Sequence, residues 1–537
     1  MLSNAMHEAR TNTAGAALPT TRGQSIPGTE SYPDKLDVGL LRIAGVCALA
    51  SVMAALDATV VSVAQRTFVA EFGSTQAIVA WTMTGYTLAL TAVIPMAGWA
   101  ADRFGTKRLF MGSVLAFTAG SLLCALAPNI LSLILFRVLQ GTGGGMLLPL
   151  GYMILVRAAG PRRLGRLLAV MGVPLLLGPI GAPILGGWLI GAYSWQWIFW
   201  INLPVGLIAL ALAAIVFPRD RPVLSETFDY IGALLLSPGL AMFLFGVSSI
   251  PGRGTIADRH VLIPAITGLV LTTAFVLHAW YRADNPLIDL RLFTNRVVTR
   301  ANVTMLVFAV SFFGTSLLFP SYFQQVLGQT PMESGLLIVP QGLGAMLTMP
   351  VAGVLMDKRG SGKIVLLGIA LVAAGLGLFT GGVAEHAPYQ PTLLVGLAIM
   401  GMGMGCTMMP LSGAAVQALA PHEIARGSTL ISVSQQVGGS IGTALMSMIL
   451  TSQLNQSDNI STAQTTADLE QNADKIGAPV APSTMPGQAL SPDFADNVLR
   501  DLSHAYTAVF MLALALVALT IVPAALLLTK QPALSRG

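Results

Sequence analysis

Two charged side chains, Asp57 and Arg137, stand inside apolar stretches long enough to cross a bilayer. A charge at membrane depth costs at least about 2.5 kcal/mol by insertion scales, so such residues face a cavity, pair with something or change protonation state. Burial disfavours the ionised carboxylate of Asp57 and a nearby cation favours it, which lets a proton and a cation compete for one site. The alternative is a carboxylate permanently satisfied by a neighbouring helix. Arg137 keeps its proton, so its part is electrostatic or hydrogen bonding, either in coupling or as a clamp on backbone carbonyls.

A second charged group lies in a loop, GWAADRFGTKR, over residues 98–108. Asp102 closes a helix, Gly105 makes a turn, and Arg103, Lys107 and Arg108 surround it, a composition that can latch helix ends which slide past each other. The pattern Gly98-x-x-x-Asp102-Arg103-x-Gly105 returns as Gly353-x-x-x-Asp357-Lys358-x-Gly360. Lys363 is followed by Ile364, so Gly360 to Lys363 does not make a phosphate loop. His278, His386 and His422 are isolated and read as loop or helix-end residues, and no metal-ligand spacing occurs.

The third group has no charge. In GVPLLLGPIGAPILGG, residues 172–187, Gly178, Ala182 and Gly186 recur every fourth residue and form one helical face that a neighbouring helix can approach at backbone distance. Pro174, Pro179 and Pro183 each remove a backbone N–H, so this helix is expected to bend.

The elements that hold these residues are membrane spans. Of 537 residues, 54% are hydrophobic and 10% charged, against about 25% charged in soluble domains. Fourteen apolar segments separated by short polar loops leave no room for a sizeable soluble domain. Cys47, Cys124 and Cys406 fall inside spans and read as small apolar side chains. Most of the 29 Lys and Arg fall on alternate loops and at the two ends, which places both termini in the cytoplasm; the formal charge of +5 reports topology and not nucleic-acid binding. Residues 1–37 read as a disordered tail and residues 452–503 as an external loop, solvated, partly ordered or a short hairpin.

The chain also repeats. Besides the Asp102 and Asp357 loops, Met146-Leu-Leu-Pro149-Leu150 returns as Thr407-Met-Met-Pro410-Leu411, and Gly178-Pro-Ile-Gly181 as Gly439-Ser-Ile-Gly442. The displacement is an even number of spans, so the repeat is parallel. The expected architecture is an all-α membrane protein: an N-terminal six-helix bundle over 38–217, an inserted helix pair with linkers over 218–290, a C-terminal six-helix bundle over 291–530 and a tail over 531–537.

The combination Leu56-Asp57-Ala-Thr59, Gly98-x-x-x-Asp102-Arg103-x-Gly105-x-Lys107-Arg108, Arg137-Val-Leu-Gln140-Gly141 and Gly178-Pro179-x-Gly181 resembles the major facilitator superfamily. With fourteen spans, it is similar to the drug:proton antiporters of EmrB/QacA type. The resemblance implies the major facilitator fold, protonation and cationic-drug recognition at Asp57, proton coupling at Arg137, and an antiporter motif at Gly178, Pro179, Gly181, Gly186 and Gly187. Trp195-x-Trp197-x-Phe199-x-x-Asn202-x-Pro204 also matches, while Ala182-Pro183 stands where Gly-Gly is usual.

The activity so implied is proton antiport that exports amphipathic, cationic or lipophilic compounds across the inner (plasma) membrane, by a secondary active transporter and not an enzyme. It would run on the proton gradient, with no cofactor or metal. Its partners would be small molecules, protons and lipid, with no nucleic acid, and a periplasmic adaptor protein if the source has an outer membrane. Proton-coupled uptake of a metabolite or nutrient is the alternative, against which the Gly-Pro stretch speaks. The expected cavity between the bundles has Trp81, Tyr86, Gln140, Phe308 and Phe312 as wall candidates, with Phe313, Phe319 and Tyr322 on the same helix as the last two.

Overall fold

The computed structural model describes residues 36–159, 163–218, 227–250, 257–281, 286–385, 389–420, 423–476, 491 and 493–527. The tail expected over 1–37 lies almost wholly outside this set, as do the tail at 531–537, His386 and His422.

The described chain is nearly all helix. The N-terminal half has α1 (Val38–Glu71), α2 (Gln76–Phe104), α3 (Thr106–Ala125), α4 (Ile130–Ala159), α5 (Leu164–Leu175), α6 (Leu177–Ala192) and α7 (Trp197–Val216). A central pair follows, α8 (Tyr230–Ser248) and α9 (Arg259–Tyr281). The C-terminal half has α10 (Arg296–Gln325), α11 (Met332–Arg359), α12 (Gly362–Ala384), α13 (Tyr389–Gln417), α14 (Ile424–Asn455), α15 (Asp458–Ile476) and α16 (Phe494–Leu526). Thirteen of the described helices are long and apolar enough to cross a membrane. The fourteenth expected span is broken into α5 and α6, joined by Leu176 alone, whose backbone stays in the right-handed helical region. Pro174 withdraws its N–H just before that joint, which accounts for the interruption.

Local sequence sets the helix starts. Asp37 accepts from the Leu40 N–H at the head of α1, Asn295 accepts from Val297 N–H at the head of α10, and Thr330 with Glu333 forms a capping box before α11. The two repeated turns share one conformation: Gly105 has φ 85° and Gly360 φ 80°, a region in which a side chain would be strained.

The halves are built on one plan. In the first, α1 packs on α4, α5, α6 and α7, while α3 packs on α4 and α7, and α2 on α4. In the second, α10 packs on α13, α14 and α16, while α12 packs on α13 and α16, and α11 on α13. The central pair stands apart from both cores: α8 packs on α9 and also touches α2 and α14, one helix from each half. His278, expected to be isolated, instead lies 2.9 Å from Asp229, whose carboxylate also accepts from the backbone of Gly232 and Leu287. That node ties both ends of the pair to the strand of chain that leads into α10.

The segment expected as an external loop contains more helix than its composition suggested. α14 runs on to Asn455, α15 is helical, and α16 begins at Phe494. Asp501 on α16 accepts from Ser457 and Asn459 at the head of α15, which seats α15 against α16.

Candidate functional site

The first half closes around a buried polar cluster. Asp57 on α1 is 2% exposed and Arg137 on α4 is fully buried, and Arg137 Nη1 donates to Asp57 Oδ2 at 2.5 Å. The same nitrogen donates to Gln140 Oε1 at 2.7 Å, and Arg137 Nε donates to the Thr82 carbonyl at 3.2 Å. The guanidinium carbon lies 4.0 Å from the centre of the Tyr86 ring. The other carboxylate oxygen, Asp57 Oδ1, accepts from Gln140 Nε2 at 3.0 Å and from Asn202 Nδ2 at 2.8 Å. Both amides also donate to Ser121 Oγ on α3. Six side chains from five helices thus satisfy one ion pair in a place where an unpaired charge would be prohibitive.

Backbone approach makes this possible. A Cβ at Gly141 would lie 2.5 Å from the Tyr86 carbonyl oxygen, so only glycine lets α2 come close enough to lay Tyr86 over Arg137. The groove on α6 serves α1 in the same way. A Cβ at Gly178 would lie 3.0 Å from Ala55 Cβ, and one at Gly186 would lie 3.0 Å from Val60 Cγ1, so the two glycines bracket the turn of α1 that carries Asp57. Gly181 is looser, 3.9 Å from Leu56 Cδ2, and Gly187 faces open space. Pro179 lies in the first turn of α6.

The two repeated loops do different things. Asp102 Oδ1 accepts from Arg157 Nη2 at 2.6 Å, an ion pair within the first half. Lys107 Nζ donates to the carbonyls of Ala214 and Phe217 at 2.6 and 2.8 Å, which closes the C-terminus of α7. Asp357 reaches across to the other half. It accepts from the backbone N–H of Gly165 at 2.7 Å and from Arg166 Nε at 2.9 Å, at the N-terminus of α5. Arg103 is half-buried, while Arg108 and Lys358 are exposed.

The seam itself is tight on this side. A Cβ at Gly353 would lie 2.5 Å from the Gly165 carbonyl oxygen, and one at Gly98 would lie 3.2 Å from that of Ala425 on α14. Deeper in, Met349 and Met409 close on Gly172, and Tyr152 donates to the Met409 sulfur at 3.5 Å.

The aromatic wall is corrected by the packing. Phe308 is fully buried and stacks on Phe312, and Phe319 and Tyr322 join Phe379, Tyr506 and Phe510 in the core of the second half. Phe312 and Phe313 are half-buried. Trp81 is 42% exposed and stacks on Phe245 of α8, so it belongs to the contact with the central pair. Tyr86 and Gln140 belong to the ion-pair cluster. Two members of that cluster had no assigned role in the sequence: Asn202, which lay in plain view in the Trp195 to Pro204 stretch, and Ser121, one of two serines in α3, which gave no signal.

Two helical halves built on one plan, with a charge pair buried inside one of them and an ion pair bridging them, are the architecture of a transporter of the major facilitator fold. The chain belongs to the Major Facilitator Superfamily, whose profile matches residues 47–443. Over 532 residues it is 68% identical to the "Multidrug resistance protein B homolog" of Mycobacterium tuberculosis, covering 99% of this chain and 98% of that one. It is 29% identical over 409 residues to the "Multidrug export protein EmrB" of Escherichia coli, covering 75% of this chain and 78% of that one. Among solved structures it resembles the human organic anion transporter MFSD10, with a TM-score of 0.56 at 13% identity over 89% of this chain and 99% of that one. The proton:xylose symporter XylE gives a TM-score of 0.55 at 14% identity, over 89% of this chain and 94% of that one. These two likenesses concern the fold.

Proposed function

We propose that this multi-pass membrane protein is a proton-coupled exporter of amphipathic, cationic or lipophilic compounds that works by alternating access, with its basic loops and both termini in the cytoplasm. The names of the two similar multidrug proteins support the class of cargo. The observation that carries proton coupling is the ion pair of Asp57 with Arg137, sealed inside the first half. One repeat away, Thr315 and Ala398 replace the pair, and Thr315 donates to the Ser311 carbonyl of its own helix.

In this conformation Asp57 is fully occupied by Arg137, Gln140 and Asn202, so a cationic compound reaches the carboxylate only after Arg137 has let go. Proton binding at Asp57 removes the charge that holds Arg137. Loss of the proton restores the pair. Since α1 lies along the α6 groove, and α5 meets Asp357 of the other half, the state of the pair bears on elements that must move when the seam opens.

The test is ethidium efflux from cells expressing equal amounts of wild type and Asp57→Asn under an imposed inward proton gradient. Wild-type efflux should accelerate with the gradient, and Asp57→Asn efflux should ignore it. Gradient-independent efflux by the wild type would refute proton coupling.

A further inference from the structure

Among the described residues, every hydrogen-bond partner of the Asp57 carboxylate is a donor. Arg137 Nη1 donates to Oδ2, and Gln140 Nε2 and Asn202 Nδ2 both donate to Oδ1. That set suits the ionised form alone. A protonated Asp57 would bring an O–H into a 2%-exposed site, and a buried donor without an acceptor is strongly disfavoured. A carboxyl group that gains and loses a proton there needs a neighbour able to change from donor to acceptor.

Only an amide or a hydroxyl can make that change. Gln140 is held: its Oε1 accepts from Arg137 Nη1 at 2.7 Å, so turning it would set its NH2 against the guanidinium. Ser121 Oγ already accepts from both amides, at 2.7 and 2.8 Å. Asn202 is different, because its carbonyl oxygen accepts from no described residue while its Nδ2 serves Asp57 and Ser121 together. Turning its amide through half a revolution would bring Oδ1 to face both. Oδ1 could then accept the Asp57 proton, and Ser121, by rotating its hydroxyl, could donate to the same oxygen.

We propose that Asn202 is a positioning residue that reads the protonation state of Asp57, donating to the carboxylate as seen here and accepting from the carboxyl group after its amide turns. The proton comes from water on one side of the membrane, is held in an O–H bond at Asp57 Oδ1, and leaves to water on the other side. No covalent bond changes at Asn202. The titratable groups that face the cluster are Arg137 from α4, Tyr86 from α2 and Cys124 from α3, and α7 supplies the Asn202 amide. The proposal rests on Asp57 being the coupling carboxylate.

The experiment measures protons released when ethidium is added to detergent-solubilised protein, together with ethidium binding by fluorescence, for wild type, Asp57→Asn, Asn202→Leu and Asn202→Ser. Leucine matches asparagine in size and can neither donate nor accept. The leucine variant is expected to release about a tenth as many protons or fewer per ethidium bound, since a buried unmatched donor costs roughly that factor. Serine can donate or accept by rotating its hydroxyl, so Asn202→Ser should keep most of the release, and it carries the test if the leucine variant does not fold. Wild-type release from folded Asn202→Leu, or equal losses in the leucine and serine variants, would overturn the proposal. Release that persists in Asp57→Asn would instead remove Asp57 as the coupling site, a separate failure.

Discussion

Asp357 holds Arg166 across the seam between the two halves, with 2.9 Å between Oδ2 and Nε, whereas its repeat partner Asp102 holds Arg157 inside one half. Asp357 also accepts from the Gly165 N–H, so its charge sits at the N-terminus of α5, where the helix dipole adds to the pair. One motif, copied twice, therefore yields one ion pair inside a half and one across the seam.

The latch predicts a shift in access. Asp357→Asn should weaken closure by about 1.5–3 kcal/mol, the worth of a hydrogen bond to a charged group, which is roughly tenfold or more in the open population. A cysteine placed at Met349, buried at the seam, should then react correspondingly faster with a water-soluble maleimide than in the Asp357 background. Equal rates would mean that Asp357 does not hold the seam.

The ion pair predicts non-additive stability. Arg137→Leu leaves the Asp57 carboxylate buried without its cation, at a cost of about 3–5 kcal/mol, and adding Asp57→Asn should recover most of that loss. Thermal unfolding in detergent reads this directly. If the double variant lost the sum of the single losses, the two residues would not act as a pair.

The groove predicts a contrast between two glycines. Gly178→Leu must push α6 away from Ala55 of α1, and efflux should fall to background in a protein that still inserts. Gly187→Leu meets open space and should leave efflux and melting temperature unchanged. Wild-type efflux by Gly178→Leu at equal expression would show that the close approach of α1 and α6 is not needed for turnover.

Orientation predicts a labelling pattern. A single cysteine at Asn472 on α15 should react with an impermeant maleimide in intact cells, and one at the exposed Lys358 should react only after permeabilisation. The reverse pattern would invert the protein in the membrane.

Much of this molecule could be read before its fold was known. The costly charges Asp57 and Arg137, the spacing of Gly178, Ala182 and Gly186, and the double loop ending in Gly105 and Gly360 are local properties, set by composition, period and backbone sterics within a turn or two. The sequence by itself determined the spans, their parallel repeat and the address of the buried pair. Tertiary structure decided the rest, because a partner is chosen by where a distant helix passes and not by what stands next in the chain. It brought Asn202 and Ser121, far apart in sequence, to Asp57, sent Asp357 but not Asp102 across the seam, and turned Phe308, Phe319 and Tyr322 into a core. An aromatic period along α10 names a face of the helix, and only the packing of α13, α14 and α16 around that helix settles what the face meets.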